Sequence, residues 1–306
     1  MTQDPTREQS GASDVVREHE PLVLTGGRRL SFCEVGDPNG KVAFYLHGTG
    51  SSRLEVALYA EAAQRHGLRL VAWDRPGSGG SDDQPGRRIL DVVSDAREVA
   101  AEVGAERPIA VGLSGGGSHV LALVVAGADV VGGGVVGGGV AINPGPPADD
   151  DILADLPRPL RVSIKLARDR PKLFGALAAP QEGRGGRLIQ NLVGDERQRR
   201  QLDPLTRAFL ERPEVAPLVA AAAFEGRRQP RAYTTEALML WHNAWGFSLA
   251  EFPVPLHVYA GEKDPFNPFS QRLGRAGAKV HSFPGGHVSG FLPQVLDDVM
   301  RTVAGP

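Results

Sequence analysis

The stretch that most constrains this chain is residues 109–126, which read IAVGLSGGGSHVLALVVA. A β-prone apolar run (Ile109, Ala110, Val111) enters G-x-S-x-G at Gly112, Ser114 and Gly116, and an apolar run of helical length follows at once. Alone, a five-residue motif is weak in a chain with 39 glycines. The context strengthens it. A strand that turns sharply into a helix presents the intervening hydroxyl on a tight tip, and the flanking glycines leave room for the turn. The helix N-terminus behind Ser114 favours negative charge developing beside it.

The rest of the chain supplies a sheet for that elbow. Short runs rich in β-branched and aromatic residues at 42–46, 68–73, 109–113 and 256–260 end in turn residues, with helically patterned stretches such as 54–66 and 92–103 between them. Continuous apolar strands alternating with helices predict an α/β fold, a mostly parallel sheet covered by helices on both faces. Two antiparallel strands, 22–24 and 30–35, are expected to precede it, joined through Gly26-Gly27. Residues 1–20 offer little to bury and read as a disordered tail. From 146 to 250 the alternation gives way to an Arg-rich helical block broken by prolines, and the strand pattern resumes at Val254-Pro255-Leu256. Helices inserted between two strands of one sheet predict a cap after the sixth strand, over a core made of 21–145 and 251–306. The glycine run at 132–134 and 137–139 contains G-x-G-x-x-G by position. It leads into Val140-Ala141-Ile142 rather than opening a helix, so it reads as the tightly packed approach to a strand and not as a dinucleotide site.

A serine hydroxyl needs a base, and the base needs an orienting acid. Of eight histidines, His287 follows the run 280–283 in Pro284-Gly285-Gly286-His287, where a glycine loop can swing an imidazole back over the sheet. His47 also ends a strand, whereas His119, His257 and His281 lie inside helix or strand patterns. Asp264 follows 256–260 through Gly261-Glu262-Lys263, 23 residues before His287. The competing acids, Asp149-Asp150-Asp151, read as a solvated linker beside prolines. The tetrahedral intermediate of acyl transfer needs two N–H donors. Gly115, next after Ser114, and Thr49, in the loop His47-Gly48-Thr49-Gly50-Ser51-Ser52-Arg53, are the candidate oxyanion hole.

Bulk properties exclude other classes. A net charge of −2 gives no field for nucleic acid or an acidic membrane. The 29 arginines against five lysines, in an Ala- and Gly-rich chain, read as genomic composition rather than as a binding signal. The single cysteine, Cys33, sits among strand formers and reads as a buried thiol; no disulfide or Cys-based metal site can form within the chain. Neither a signal-peptide pattern nor an apolar run of membrane-spanning length is present, so a cytoplasmic location is expected. The expected partner is a small-molecule substrate, with no nucleic acid, membrane, cofactor or metal; the oligomeric state is left open.

From about Pro21 onward the chain resembles the α/β-hydrolase superfamily: the elbow at Ser114, the order Ser114, Asp264, His287, the His47-Gly48 turn, and Asp74-Arg75-Pro76-Gly77-Ser78-Gly79-Gly80-Ser81, similar to the D-x-x-G-x-G-x-S loop of these proteins. The HGTxxSR and DRPGxGxSD loops, with Trp245-Gly246-Phe247, resemble a poorly characterised bacterial subgroup. Ser114 stands where haloalkane dehalogenases and epoxide hydrolases have Asp. The chain also lacks the HGGPG and GGSWG of proline iminopeptidases and the HGGG of hormone-sensitive-lipase-like esterases. The resemblance implies an α/β-hydrolase fold with a cap and a serine hydrolase cleaving a small carboxylic ester or lactone through an acyl-enzyme. The alternatives are a C–C bond hydrolase, lyase or acyltransferase on the same triad, or a non-catalytic ligand-binding protein. Arg53, after the oxyanion loop, is expected either to pair with Asp74 and hold that loop, or to point into the pocket and bind a substrate carboxylate.

Overall fold

Along each central strand successive side chains enter opposite cores, which is why these runs are apolar without interruption. Phe44, Leu46, Val71, Trp73, Ala110 and Val258 pack into one core, and their neighbours Ala43, Tyr45, Leu70, Ala72, Val111 and Tyr259 into the other. The computed structural model describes residues 15–126, 135–179 and 203–305. Its strands are β1 (Arg17–Glu18), β2 (Leu22–Val23), β3 (Arg29–Leu30), β4 (Phe32–Gly36), β5 (Lys41–Leu46), β6 (Leu68–Trp73), β7 (Ile109–Leu113), β8 (Gly138–Ile142), β9 (Leu256–Gly261) and β10 (Lys279–Phe283). Eight form one sheet in the order β1-β4-β6-β5-β7-β8-β9-β10, parallel from β6 to β10 and antiparallel at β1 and β4. This is the α/β-hydrolase fold that the sequence predicts.

The N-terminal region departs from expectation twice. The anticipated hairpin is divided: β2 and β3 form a separate antiparallel ribbon, while β4 pairs with β6 in the main sheet. The break falls at Ser31, whose N–H donates to Ser81 Oγ (2.9 Å) and whose carbonyl accepts from Asp74 N–H (2.9 Å). Part of the expected tail is also ordered, because Arg17 and Glu18 pair with β4 as a short edge strand. The free edge of β4 and the charge of Arg53, which Glu18 meets, provide partners that local composition does not reveal. Residues 1–14 lie outside the described residues.

Between β8 and β9 the described residues form helices at Asp150–Leu153, Arg158–Asp169, Pro171–Ala178, Pro204–Leu210, Val215–Gly226 and Ala232–Trp241, and the two strands remain neighbours in the sheet. Gly139 belongs to β8, and a side chain there would overlap Val120 and Val124 of the helix Gly115–Ala126, consistent with close packing at the end of the glycine run; 127–134 lie outside the described residues. Among the described residues, no helix is long and apolar enough to cross a membrane. Cys33 is fully buried, and burial pushes its thiol well above the usual range.

The elbow depends on close backbone approach. A methyl group at Gly116 would collide with the carbonyl of Leu46 at the end of β5, and one at Gly112 with the backbone of Gly116. Gly116→Ala is therefore expected to cost about 2–4 kcal/mol by forcing helix and strand apart. Thermal unfolding checks this, and an unchanged Tm would show that the packing relaxes.

Candidate active site

Ser114 joins β7 to the helix Gly115–Ala126 with φ of 55°, a left-handed conformation unusual for a side-chain-bearing residue. Its N–H donates to Ile142 O on β8 (2.9 Å) and its carbonyl accepts from Gly145 N–H (3.2 Å), so the neighbouring strand holds the turn. Ser114 and His287 line one cavity of about 160 Å³, with Thr49 and Glu55 on one side and Val219 and Ala223 of the helix Val215–Gly226 on the other. His287 Nδ1 lies 3.1 Å from both carboxylate oxygens of Asp264, whose side chain is fully buried. Asp264 Oδ1 also accepts from Phe266 N–H (3.0 Å), and the Phe266 ring meets the imidazole edge-on. The structure thus brings Asp264 to His287 and His287 to the cavity of Ser114.

Two of the three competing acids are occupied elsewhere. Asp150 pairs with Lys165 and Arg168, and Asp151 with Arg272.

Thr49 lines the cavity and lies against Gly115, since a side chain at 115 would overlap the Thr49 hydroxyl. The carbonyls around Thr49 are drawn away from it. Arg75 Nη1 donates to His47 O (2.6 Å), Ser51 N–H to Gly48 O (3.1 Å), and Arg227 to Gly50 O. Arg75 is itself buried and paired with Glu236 of the helix Ala232–Trp241. Gly115 opens its helix, where the N–H has no intrahelical acceptor.

Arg53 takes the first of its two expected positions. Its backbone N–H and guanidinium both donate to Asp74, and the guanidinium also meets Glu18 and, at 3.2 Å, Glu225. Burial alone would lower its pKa, but Asp74, Glu18 and Glu225 together hold it above the usual range. Asp74 Oδ2 further accepts from Gly80 N–H (2.9 Å), and Gln229 donates to Gly79 O and Ser81 O. The Asp74–Ser81 loop is thereby tied to Arg53, at the end of the loop that carries Thr49.

Two residues with a part in the site escaped the sequence reading. Asn143, buried at the end of β8 with φ of 44°, donates from Nδ2 to His287 O (2.8 Å) and accepts at Oδ1 from Gly261 N–H (2.8 Å). One amide thus ties the loop carrying His287 to the strand leading to Asp264. An Asn-Pro-Gly at a strand end reads as an ordinary turn, so no sequence signal marked it. Glu55 lines the cavity although it lies on the 3-10 segment Arg53–Tyr59, where a surface glutamate would be expected.

The remaining histidines of this region are structural. His119 Nδ1 meets Gly115 O (2.7 Å); His47 Nδ1 meets Gly48 O (2.8 Å), and its Nε2 accepts from Arg75 N–H (3.4 Å). Burial, reinforced by the nearby Arg75, pushes both well below the ordinary histidine range.

A model described as "Alpha/beta hydrolase family" matches residues 43–301, and the chain belongs to that family. No functionally curated protein matches it in sequence. Among solved structures it is similar to a hydrolase from Pseudomonas aeruginosa PA01, at 18% identity and TM-score 0.67, covering 94% of this chain and 98% of the other. It is also similar to the enol-lactonase from Burkholderia xenovorans LB400 (16%, TM-score 0.59, 92% and 97% covered) and to epoxide hydrolase VrEH1 from Vigna radiata (16%, TM-score 0.65, 95% and 97% covered). At these identities the likeness concerns the fold.

Two outcomes follow. Arg53→Ala leaves Asp74 as an uncompensated buried carboxylate, so stability should fall by about 3–5 kcal/mol, roughly 10 °C in Tm, with activity on neutral and acidic esters lost alike. An intact Tm with loss confined to acidic esters would instead place the guanidinium in substrate binding. The buried imidazoles give a pH signature. Below about pH 6.5 the unfolded chain binds protons that folded His47 and His119 refuse, so stability is complete above that pH and declines below it. The decline is up to ~1.4 kcal/mol per pH unit for each histidine. Melting curves between pH 7.5 and 5.5 should show it, with a shallower decline in His119→Gln; equal slopes would remove His119 as a contributor.

Proposed function

We propose that this protein is a serine hydrolase that cleaves a small carboxylic ester or lactone through an acyl-enzyme. The observation that carries the reading is the shared cavity: a serine on a strained elbow and a histidine held by a buried aspartate open into the same space. With Nδ1 turned to Asp264, His287 has Nε2 left to serve Ser114. The Ser114 oxygen attacks the carbonyl carbon and its proton passes to His287. Negative charge on the former carbonyl oxygen is met by the N–H groups of Thr49 and Gly115. When the tetrahedral intermediate collapses, His287 returns the proton to the departing alcohol. Water, deprotonated by His287, then releases the acid and restores the serine. In a lactone the alcohol remains attached to the acyl group.

The helices between β8 and β9 serve as the cap, because Val219, Ala222 and Ala223 of one of them line the cavity together with Leu113 and Ser114. A volume of about 160 Å³ matches a group the size of benzene, which suits a short acyl chain. Epoxide opening through an alkyl-enzyme requires a carboxylate nucleophile, and a hydroxyl at the elbow favours acyl transfer instead.

A fluorophosphonate probe tests the nucleophile: one label per chain, located at Ser114 and absent from Ser114→Ala, is expected. Ser114→Ala and His287→Ala should each lower kcat on a p-nitrophenyl ester about 10³-fold or more, Asp264→Asn somewhat less, and the Ser114/His287 double variant scarcely further, because the three act as a unit. Full activity in Asp264→Asn would reassign the acid. A chain that never labels would be a ligand-binding protein, and acyl transfer to an added alcohol in place of water would make it a transferase.

A further inference from the structure

Two charged side chains among the described residues reach the cavity of Ser114, Glu55 and Arg227. Arg227 is committed to the scaffold: its Nη1 donates to Gly50 O and to Ala223 O (3.3 Å), and its guanidinium lies 5.6 Å from the Tyr233 ring. Glu55 is placed differently. Its Oε1 accepts from Tyr45 O–H (2.6 Å) and from Gly48 N–H (2.9 Å), and the Ser51 hydroxyl is bonded to the same carboxyl. All three partners are neutral donors, and two belong to the oxyanion loop. A carboxyl with 8% residue exposure is thus fixed at the wall of the cavity by hydrogen bonds, with the charge of Arg75 acting on it as well.

We infer that Glu55 is a specificity-determining residue that restricts the acyl pocket to uncharged or amine-bearing acyl groups and rejects those carrying a carboxylate. The inference rests on the proposed hydrolysis at Ser114, since it concerns the group that Ser114 would accept. The physical reason is electrostatic. Two carboxyl groups held close together in one cavity repel each other when both are ionised, whereas an ammonium group there would be attracted. Burial pushes the Glu55 carboxyl above the ordinary glutamate range, while the hydrogen bonds it accepts and the charge of Arg75 favour its ionised form. The hydrogen bonds to Gly48 and Ser51 keep the carboxyl from swinging away, so an incoming anion meets it at fixed position. The apolar walls, Leu58, Val219, Ala222 and Phe291, offer an anion no hydrogen bond, and the cation in the lining, Arg227, is engaged with Gly50 O and Ala223 O.

The test compares two acyl groups of one shape, mono-p-nitrophenyl succinate, which carries a carboxylate, and p-nitrophenyl 4-methylpentanoate, which carries two methyl groups in its place. The wild-type enzyme should favour the neutral ester in kcat/KM by about 10- to 100-fold. In Glu55→Gln, whose amide oxygen can still accept from Tyr45 and Gly48, the ratio of the two kcat/KM values should move toward the anionic ester by at least ~10-fold. The p-nitrophenyl ester of 3-aminopropanoic acid should move the opposite way. Should Glu55→Gln not fold, the wild-type ratio decides, because equal use of the two isosteric esters overturns the inference. An unchanged ratio in folded Glu55→Gln overturns it too. Fluorophosphonate labelling of Ser114 in the same preparations separates the two levels: labelled enzyme with no charge discrimination sinks the role of Glu55 alone, while failure to label sinks the hydrolase reading and this inference with it.

Discussion

Ser114 is held in the left-handed region by what surrounds it, and much of the molecule is arranged around that turn. Its N–H is fixed to Ile142 on β8, and Gly116 sits against the Leu46 carbonyl at the end of β5. Strands on both sides of β7 thus meet at this one turn. Because the sheet is parallel here, the loops leaving β5, β7, β8 and β9 emerge at the same edge. A parallel sheet gathers its strand C-termini in this way, so residues far apart in sequence reach one cavity without any long loop.

That convergence leaves many polar backbone groups to be satisfied, and the protein does so with buried charge. Asp74, Arg53, Arg75, Glu236 and Arg227 hold the carbonyls and N–H groups of the loops beneath and beside Thr49. Each of these groups would be costly without its partner, so they act as a set. Arg53 to Glu225 and Arg227 to Gly50 run from the helical insertion to the loop that carries Thr49, and Glu236 reaches it through Arg75. The position of those helices and the shape of the loop are consequently linked.

Asn143 and Glu55 illustrate how the site is held together by side chains outside the expected set. Asn143 uses both ends of its amide to relate the His287 loop to β9, and Glu55 uses one oxygen to relate Tyr45 on β5 to Gly48. Neither residue type in its local sequence suggests such a task. A buried glutamate on a short helical segment and a buried asparagine at a strand end acquire their roles from what lies opposite them.

The sequence alone determined the sheet and the elbow, because both are written in local patterns. Uninterrupted apolar strands, glycines on either side of Ser114, and an apolar helix behind it follow from short-range sterics and the period of side-chain burial. The order of Ser114, Asp264 and His287 was legible for the same reason, since each candidate sits in a loop immediately after a strand-like run. Tertiary structure decided the rest. Arg17–Glu18 became a strand only because β4 offered an open edge and Arg53 a charge, and β4 left its expected hairpin because Ser31 was engaged by the Asp74–Ser81 loop. Arg53 itself could have faced the cavity or Asp74. The carboxylates of Glu18, Asp74 and Glu225, drawn from three distant parts of the chain, settle its direction, and a balance among partners that distant is set by folded geometry rather than by local sequence.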